Sequence, residues 1–475
     1  MRSLSILWIA LGFLPRMDAQ NPNAEPLDWF SFRRQVINSH PAAVQANLRL
    51  DQARAYLMKA RGGFDPKAYA EVYGKNFNGK EYFNYGEAGI KIPSWMGLEF
   101  KGAYNQASGI YLDPESTLPA DGQVSAGITW RLGQGLLFDE RRADLAQARI
   151  GLRAAEAERD LILNNLLLDA MKAYWTWVIA ENQLRVYEEA LRQAQLRLDA
   201  IRESVVQGDK PAIDTTETLL QVQTRQLDVN FARLERQNAA LELANYWWTD
   251  INTTLSPALL PPAPRLDPLL PPGLLPDAVR TDLRLQALAS HPELRGYEAK
   301  LQNLSVERRL KNEWRKPSLD LNYYLLGNGW TFFPTPYPGE GIGVVTNNTK
   351  YGLSFSYPIL NRKARGDYQL AQIKVRDTEL ALSQKKRAIE MKFNQYLNEL
   401  DNYAGQIVLF AGMTTNYRSL LDAELAKFEL GESSVFLVNT REQRWLDAQI
   451  KYQKLVGEYQ KANVALLWSA GTLAN

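Results

Sequence analysis

The stretch Leu184–Ile213, LRVYEEALRQAQLRLDAIRESVVQGDKPAI, decides how the chain folds. Leu184, Tyr187, Leu191, Ala194, Leu198, Ile201 and Val205 recur at alternating spacings of three and four, the seam of a coiled-coil helix. Gly208 and Pro211 then interrupt it, because glycine enters the left-handed conformation freely and proline lacks the N–H that a helix interior needs. Beyond the break Ile213, Leu220, Leu227, Leu234 and Leu241 recur at every seventh position, and Trp248 continues the row. The expectation is a pair of antiparallel helices that zip along these two rows. Asp139–Val206 contains no proline, so one uninterrupted ascending helix would approach 100 Å, at roughly 1.5 Å per residue. Such a hairpin leaves Leu163, Leu167, Tyr174 and Trp177 on other faces, where further neighbours must cover them.

The same order of events occurs twice. A helical segment opens at Ser39-His40-Pro41, strands follow, and two long helices meet at Gly208; in the second half the opening is Ser290-His291-Pro292 and the turn is at Gly431. Shifted by the 223 residues that separate the two glycines, the ascending row lands on Ile407, Phe410, Thr414, Tyr417, Leu421, Glu424 and Phe428, five of them apolar. Between the halves, residues 256–276 are dense in proline and read as a linker. The reading is a first repeat over 20–255 (strands in 64–133, helical hairpin 139–249) and a second over 277–475 (strands in 317–358, helical hairpin 361–471).

The strands alternate. Leu319, Leu321, Tyr323 and Leu325 interleave with Ser318, Asp320, Asn322 and Tyr324; Tyr351, Leu353, Phe355 and Tyr357 interleave with Gly352, Ser354 and Ser356. In the first half Val124, Ala126, Ile128, Trp130 and Leu132 alternate with Ser125, Gly127, Thr129 and Arg131, and Met96, Leu98, Phe100 and Tyr104 alternate with Glu99, Lys101 and Asn105. Each segment is near the length of a tilted membrane strand, with one face for lipid and one for a wet lumen. A half-buried soluble sheet would alternate in the same way. Few strands per half cannot close a barrel from one chain, so several chains are expected to share it. Surplus strand-like sequence at 64–78 and 82–92 reads as an extended hairpin outside the membrane.

Composition excludes more than it assigns. Lys plus Arg number 55 against 53 Asp plus Glu, so no net field gathers phosphates, and nucleic acid is not an expected partner. Cysteine is absent, which removes disulfides, thiolate metal sites, thiol nucleophiles and a lipidated N-terminal cysteine. Residues 1–19 read as a cleavable export signal, with Arg2, an apolar run from Leu4 to Leu14 and a cleavage site near Ala19. His40 and His291, the two histidines of the chain, both precede proline at a helix start and read as helix-entry residues rather than catalysts or ligands. Gly133-Gln134-Gly135 lacks the Lys-Ser/Thr of a phosphate loop and reads as a hinge between strand and helix. Trp175, Trp177, Trp247 and Trp248 read as packing residues. No constellation points to an enzyme or to a cofactor. A soluble periplasmic coiled-coil scaffold or adaptor is the alternative to a membrane protein.

A duplicated unit of strands and giant helical hairpin behind an export signal resembles the TolC family of outer membrane efflux proteins. The local carriers are Gln207-Gly208-Asp209-Lys210-Pro211-Ala212-Ile213-Asp214 and its second copy around Phe428-Glu429-Leu430-Gly431. Others are Leu145-Ala146-Gln147, Leu370-Ala371-Gln372, and the ending Leu466-Leu467-Trp468-Ser469-Ala470-Gly471-Thr472-Leu473. The resemblance implies a membrane α+β fold: a homotrimer sharing a transmembrane β-barrel of about twelve strands, four per protomer, continued by a periplasmic barrel of twelve helices. It implies a passive duct, gated at the hairpin tips, that works with a periplasmic adaptor protein and an inner membrane transporter of the RND, ABC or MFS type. The gate and docking residues would be Gly208, Asp209, Asp214, Gly431, Phe436, Leu437 and Thr440. Leu437 and Thr440 stand where an acidic pair is usual in the family, and Phe428 and Ser433 stand where an aromatic hydroxyl and a basic residue lock some members. Asp214 alone survives from that network, which counts against a strongly cation-blocked entrance and leaves closure by charge or by the apolar Phe436 and Leu437 open.

Overall fold

The computed structural model describes residues 25–114, 117–250, 253–254, 256–257, 260–266, 275–331 and 348–474; the export signal read at 1–19 lies outside them. Helices α1 (Trp29–Ser39) and α2 (Pro41–Arg61) lead into strands β1 (Lys67–Phe77), β2 (Lys80–Pro93), β3 (Leu98–Ser108) and β4 (Gln123–Arg131). Helices α3 (Glu140–Val206) and α4 (Ala212–Ala244) form the first hairpin, followed by the short β5 (Trp248–Asp250) and β6 (Thr253–Thr254). The second half repeats the plan with α5 (Asp277–Ala289), α6 (Pro292–Glu313), β7 (Ser318–Leu326), β8 (Thr349–Ser356), α7 (Arg362–Glu429) and α8 (Val435–Ala470). Among the described residues no helix is long and apolar enough to cross a membrane.

Each long helix begins where its side chains dictate. Asp139 caps α3 by accepting the Arg142 backbone N–H at 3.0 Å, which satisfies a donor that the first helical turn leaves free. Arg142 turns back over the hinge read at Gly133–Gly135, donating to the carbonyls of Gly135 (2.5 Å), Leu136 (2.9 Å) and Leu137 (3.0 Å). Gly133 is needed because an added Cβ would sit 2.1 Å from the Pro317 carbonyl oxygen. The two histidines act as N-caps of α2 and α6, each accepting through Nδ1, from Ala42 N–H (3.1 Å) and Glu293 N–H (3.2 Å). Burial pushes both imidazoles toward the neutral form that such acceptance requires.

Four helices stand side by side at each level. Below, the order is α4, α3, α8, α7; above, it is α2, α3, α6, α7, so α3 and α7 run the full length while shorter helices stack in pairs beside them. At the junction Phe32, Tyr174 and Trp247 stack with Trp29 edge-on, around the fully buried Trp177. The proline-rich linker is strapped to α3 at this height. Asn182 donates to Pro264 O at 2.9 Å, Arg185 donates to Ala263 O at 3.0 Å, and Leu260 and Ala263 enter the core. Close approach of the two hairpins rests on Gly457 of α8, where a Cβ would lie 1.9 Å from Ile179 Cδ1 of α3.

Two expectations change. The descending row Ile213, Leu220, Leu227, Leu234 and Leu241 does not zip against α3; these side chains are between 52% and 72% exposed. The face of α4 toward α3 instead carries the buried Thr218, Arg225, Val229, Ala232, Ala239 and Leu243. Its small residues accept the bulky ascending row, and Arg225 is paired with Asp228 at 3.1 Å. Helix α4 also stops at Ala244, and Trp248 lies in β5 rather than continuing the row. A spacing of seven marks one stripe of a helix without saying which neighbour covers it.

Among the described residues six strands form one antiparallel sheet in the order β1-β2-β3-β4-β7-β8, where about four barrel strands were expected, and β5 and β6 pair separately. The surplus segments at 64–78 and 82–92 extend this sheet through β2, which pairs with β3 from Asn84↔Ser108 to Pro93↔Glu99. Through the register every alternating row falls on a common side. Leu98, Trp130, Leu321 and Leu353 adjoin in turn on one face, and Glu99, Thr129, Asn322 and Gly352 adjoin on the other.

Candidate functional site

The hairpin tips lie at the end of the molecule farthest from the sheet, and both are built alike. At the first, the N–H of Gly208 donates to Val205 O (3.1 Å) and that of Asp209 to Ser204 O (2.9 Å); at the second, Gly431 donates to Phe428 O (3.1 Å) and Glu432 to Lys427 O (2.9 Å). This pair of hydrogen bonds ends a helix with a left-handed residue, and the φ values of +83° at Gly208 and +76° at Gly431 explain why glycine stands there. Open space surrounds both α-carbons, so conformation and not crowding selects the residue.

Asp209 is exposed beside the first turn, and Asp214 sits half-buried in the opening turn of α4. Phe436 and Leu437, 64% and 42% exposed, project from the first turn of α8. Thr440 spends its hydroxyl on the Phe436 carbonyl one turn back, at 2.8 Å. Gly208 and Gly431 therefore set the two turns, while Asp214, Phe436 and Leu437 present unlike chemistry at the start of the two descending helices.

The contacts that join the tips involve residues that the sequence did not single out as a set. Lys210 Nζ lies 3.9 Å from the centre of the Phe428 ring, a cation–π contact from the first turn to the second hairpin. Two turns above, Arg197 of α3 reaches Glu442 (2.5 Å) and Asn439 (3.0 Å) of α8. Its partner Glu442 is almost wholly buried, with 5% of its side chain exposed. Within the second hairpin Ser433 donates to Glu424 at 2.6 Å and Arg441 approaches the same carboxylate at 3.4 Å. The hydrogen bond from Ser433, with that from Arg441, holds the Glu424 carboxyl below its ordinary value. These partners are separated by up to 245 residues, and a charged side chain on a long helix looks solvated until its neighbour is placed. The one available signal was the landing of Glu424 and Phe428 on the otherwise apolar ascending row.

The chain matches the family model described as outer membrane efflux protein over residues 114–247 and 283–472, one segment in each half. None of the curated proteins compared matches the sequence. Among solved structures it is similar to the CmeC outer membrane channel of Campylobacter jejuni, with 14% identity, 99% of this chain and 94% of that one covered, and a TM-score of 0.65. VceC of Vibrio cholerae, an outer membrane protein, shares 12% identity over 93% of this chain and 95% of its own, with a TM-score of 0.64. The open state of the MtrE outer membrane channel of Neisseria gonorrhoeae shares 14% identity over 93% and 88%, with a TM-score of 0.63.

Proposed function

The chain belongs to the outer membrane efflux protein family, and on that premise we propose that three copies close into a passive duct whose periplasmic mouth is shut by the hairpin tips. It is an outer membrane channel protein reaching into the periplasm, of a family of transport ducts. The observation that carries closure into a ring is that each chain leaves both flanks unfinished. On one flank α4 exposes Ile213, Leu220, Leu227, Leu234 and Leu241; on the other α7 exposes Leu370, Ile373, Leu380, Leu409, Met413 and Leu420. Unlike flanks meet head to tail, and repeated rotation closes them into a ring.

In this reading the opening step is a separation of the two hairpins near their tips. Lys210–Phe428 and Arg197–Glu442–Asn439 hold the hairpins together, and Phe436 and Leu437 of each copy converge to exclude water and solute from the mouth. A periplasmic adaptor engages the tips around Gly208, Asp209, Asp214, Gly431 and Thr440, and an inner membrane transporter supplies the energy. No bond is made or broken by the duct itself.

The test is reconstitution of the purified protein into planar bilayers, with single-channel recording of the wild type and of Phe436→Ser and Leu437→Ser. We expect a low-conducting wild type and larger currents from the substituted protein at unchanged trimer mass. Unchanged currents would remove the apolar closure, and a monomer without pore activity would remove the duct.

A further inference from the structure

We propose that all six strands of the large sheet span the membrane, so that the free edge of β1 pairs with the free edge of β8 in the next copy and three copies form a barrel of eighteen strands. The inference rests on the ring of three copies proposed above. It departs from a barrel of four strands per copy, in which β3 would be the edge and β1–β2 a hairpin outside the membrane.

Three observations carry it. The first is level. At the helical end of the sheet the pairs Lys67↔Lys91, Pro93↔Glu99, Leu98↔Trp130, Arg131↔Asp320 and Ser318↔Ser356 step by one or two residues from strand to strand, the stagger that tilted strands of one barrel require, so β1 and β2 continue the same lower edge. Their lengths of 11 and 14 residues suffice for a tilted crossing, which takes about 9–11.

The second is the continuity of both faces. The apolar rows of β3, β4, β7 and β8 run on through Ile92, Ile90 and Ala88 of β2 to Ala68, Ala70 and Val72 of β1. Val72, Ile90, Phe100, Leu353 and Phe355 are all at least 46% exposed, so the described residues leave this side uncovered. On the opposite side a lateral polar chain crosses the strands. Tyr69 of β1 donates to Glu87 of β2, Glu87 pairs with Lys101 of β3 at 2.6 Å, Tyr85 reaches Asn105 at 3.0 Å, and Asn105 reaches Ser125 of β4 at 3.4 Å. Apart from Lys80 beside the outer turn, the ionic groups of β1 and β2, Lys67, Glu71, Lys75, Glu81, Glu87 and Lys91, lie on the lumen side, a segregation that a hairpin standing in water would not require.

The third is the edges. Strand β1 runs away from the helices and β8 runs toward them, so β1 of one copy meets β8 of the next antiparallel, as the sheet's other pairs do. In lipid an open edge leaves N–H and C=O groups with no partner, which closure alone removes. The flanks agree at every level, since β1, α2 and α4 share one side of the chain and β8 and α7 share the other.

The chain has no cysteine, so introduced pairs report cleanly. Ala70→Cys on the apolar face of β1 is combined in turn with Tyr351→Cys, Leu353→Cys and Phe355→Cys, three registers that differ by two residues. Oxidised in membranes, one of the pairs is expected to give a ladder ending at a covalent trimer, while Gly102→Cys of β3 with the same three partners gives none. A ladder from the Gly102→Cys pairs instead would overturn the eighteen-strand barrel and leave the channel reading standing. Imaging of the unmodified assembly in lipid nanodiscs by electron cryo-microscopy decides independently of any substitution. Eighteen strands support the inference, twelve refute it, and the absence of a ring would bring down the channel reading as well.

Discussion

Arg197 and Glu442 allow the proposed opening step to be dissected. The pair joins α3 to α8 at 2.5 Å, with side chains 14% and 5% exposed. Arg197→Met keeps most of the aliphatic volume but strands the Glu442 carboxylate in the closed arrangement, and breaking one half of a buried pair costs about 3–5 kcal/mol. Separation of the hairpins would return Glu442 to water, so that cost falls on the closed state alone. At tenfold for about 1.4 kcal/mol, the lower part of this range moves the open-to-closed ratio by about 10²–10³. The double variant Arg197→Met with Glu442→Met removes both charges and should lie within about 1 kcal/mol of the wild type, because apolar replacement of a buried pair is often neutral. Open probability from single-channel recording across the four proteins of this cycle measures the coupling. Should the single and double variants open equally, packing rather than charge would hold the hairpins; should neither differ from wild type, the hairpins do not part at this point.

Replacement of Leu220, Leu227 and Leu234 together by Gln should weaken trimerisation by about 10²-fold or more per interface, since each side chain is more than half exposed in the single chain and its burial contributes about 1–2 kcal/mol; native mass spectrometry in detergent would read unchanged trimer if the row faced only solvent. Gly208→Ala and Gly431→Ala should each cost about 1 kcal/mol from the left-handed backbone, seen as faster hydrogen exchange confined to the tips, and slower or global exchange would contradict the capping account. The ordinary histidine value is 6.5, and burial lowers both His40 and His291 below it. The unfolded chain therefore binds protons first as pH falls, and stability is full above about 6.5 and declines below it until the lowered folded values are passed. His40→Asn with His291→Asn keeps a capping oxygen and should flatten melting temperature between pH 7 and 5, whereas an unchanged slope would assign it to other groups. At the tip, the lowered Glu424 carboxyl contributes stability above its ordinary value of 4.5 that is lost as pH falls through its folded value. Tip protection factors, corrected for the intrinsic exchange rate at each pH, should thus fall in acid, and Glu424→Gln should abolish that fall if the Ser433 and Arg441 contacts cause it.

The periodicities of the sequence determined the elements and their order. Alternation placed β3, β4, β7 and β8, the glycines placed the two tips with their left-handed turns, and the prolines and histidines placed the starts of α2 and α6. These are local properties, since a period of two or of 3.6 and a residue's own backbone preference are decided within a few residues. Family membership followed from the same pattern read twice. What only the tertiary structure decided is which stripe meets which neighbour. The leucine row of α4 turned outward while Thr218, Arg225 and Val229 met α3, the proline-rich linker became a strap over Asn182 and Arg185, and the hairpins were joined through Lys210–Phe428 and Arg197–Glu442. The sheet gained β1 and β2, whose small residues Ala68, Ala70 and Gly74 give a weaker alternation than the leucines and tyrosines of β7. A period orients a side chain about its own helix or strand axis; the partner across from it comes from chain tens or hundreds of residues away, and that pairing is settled by volume, charge and hydrogen-bond satisfaction across the interface.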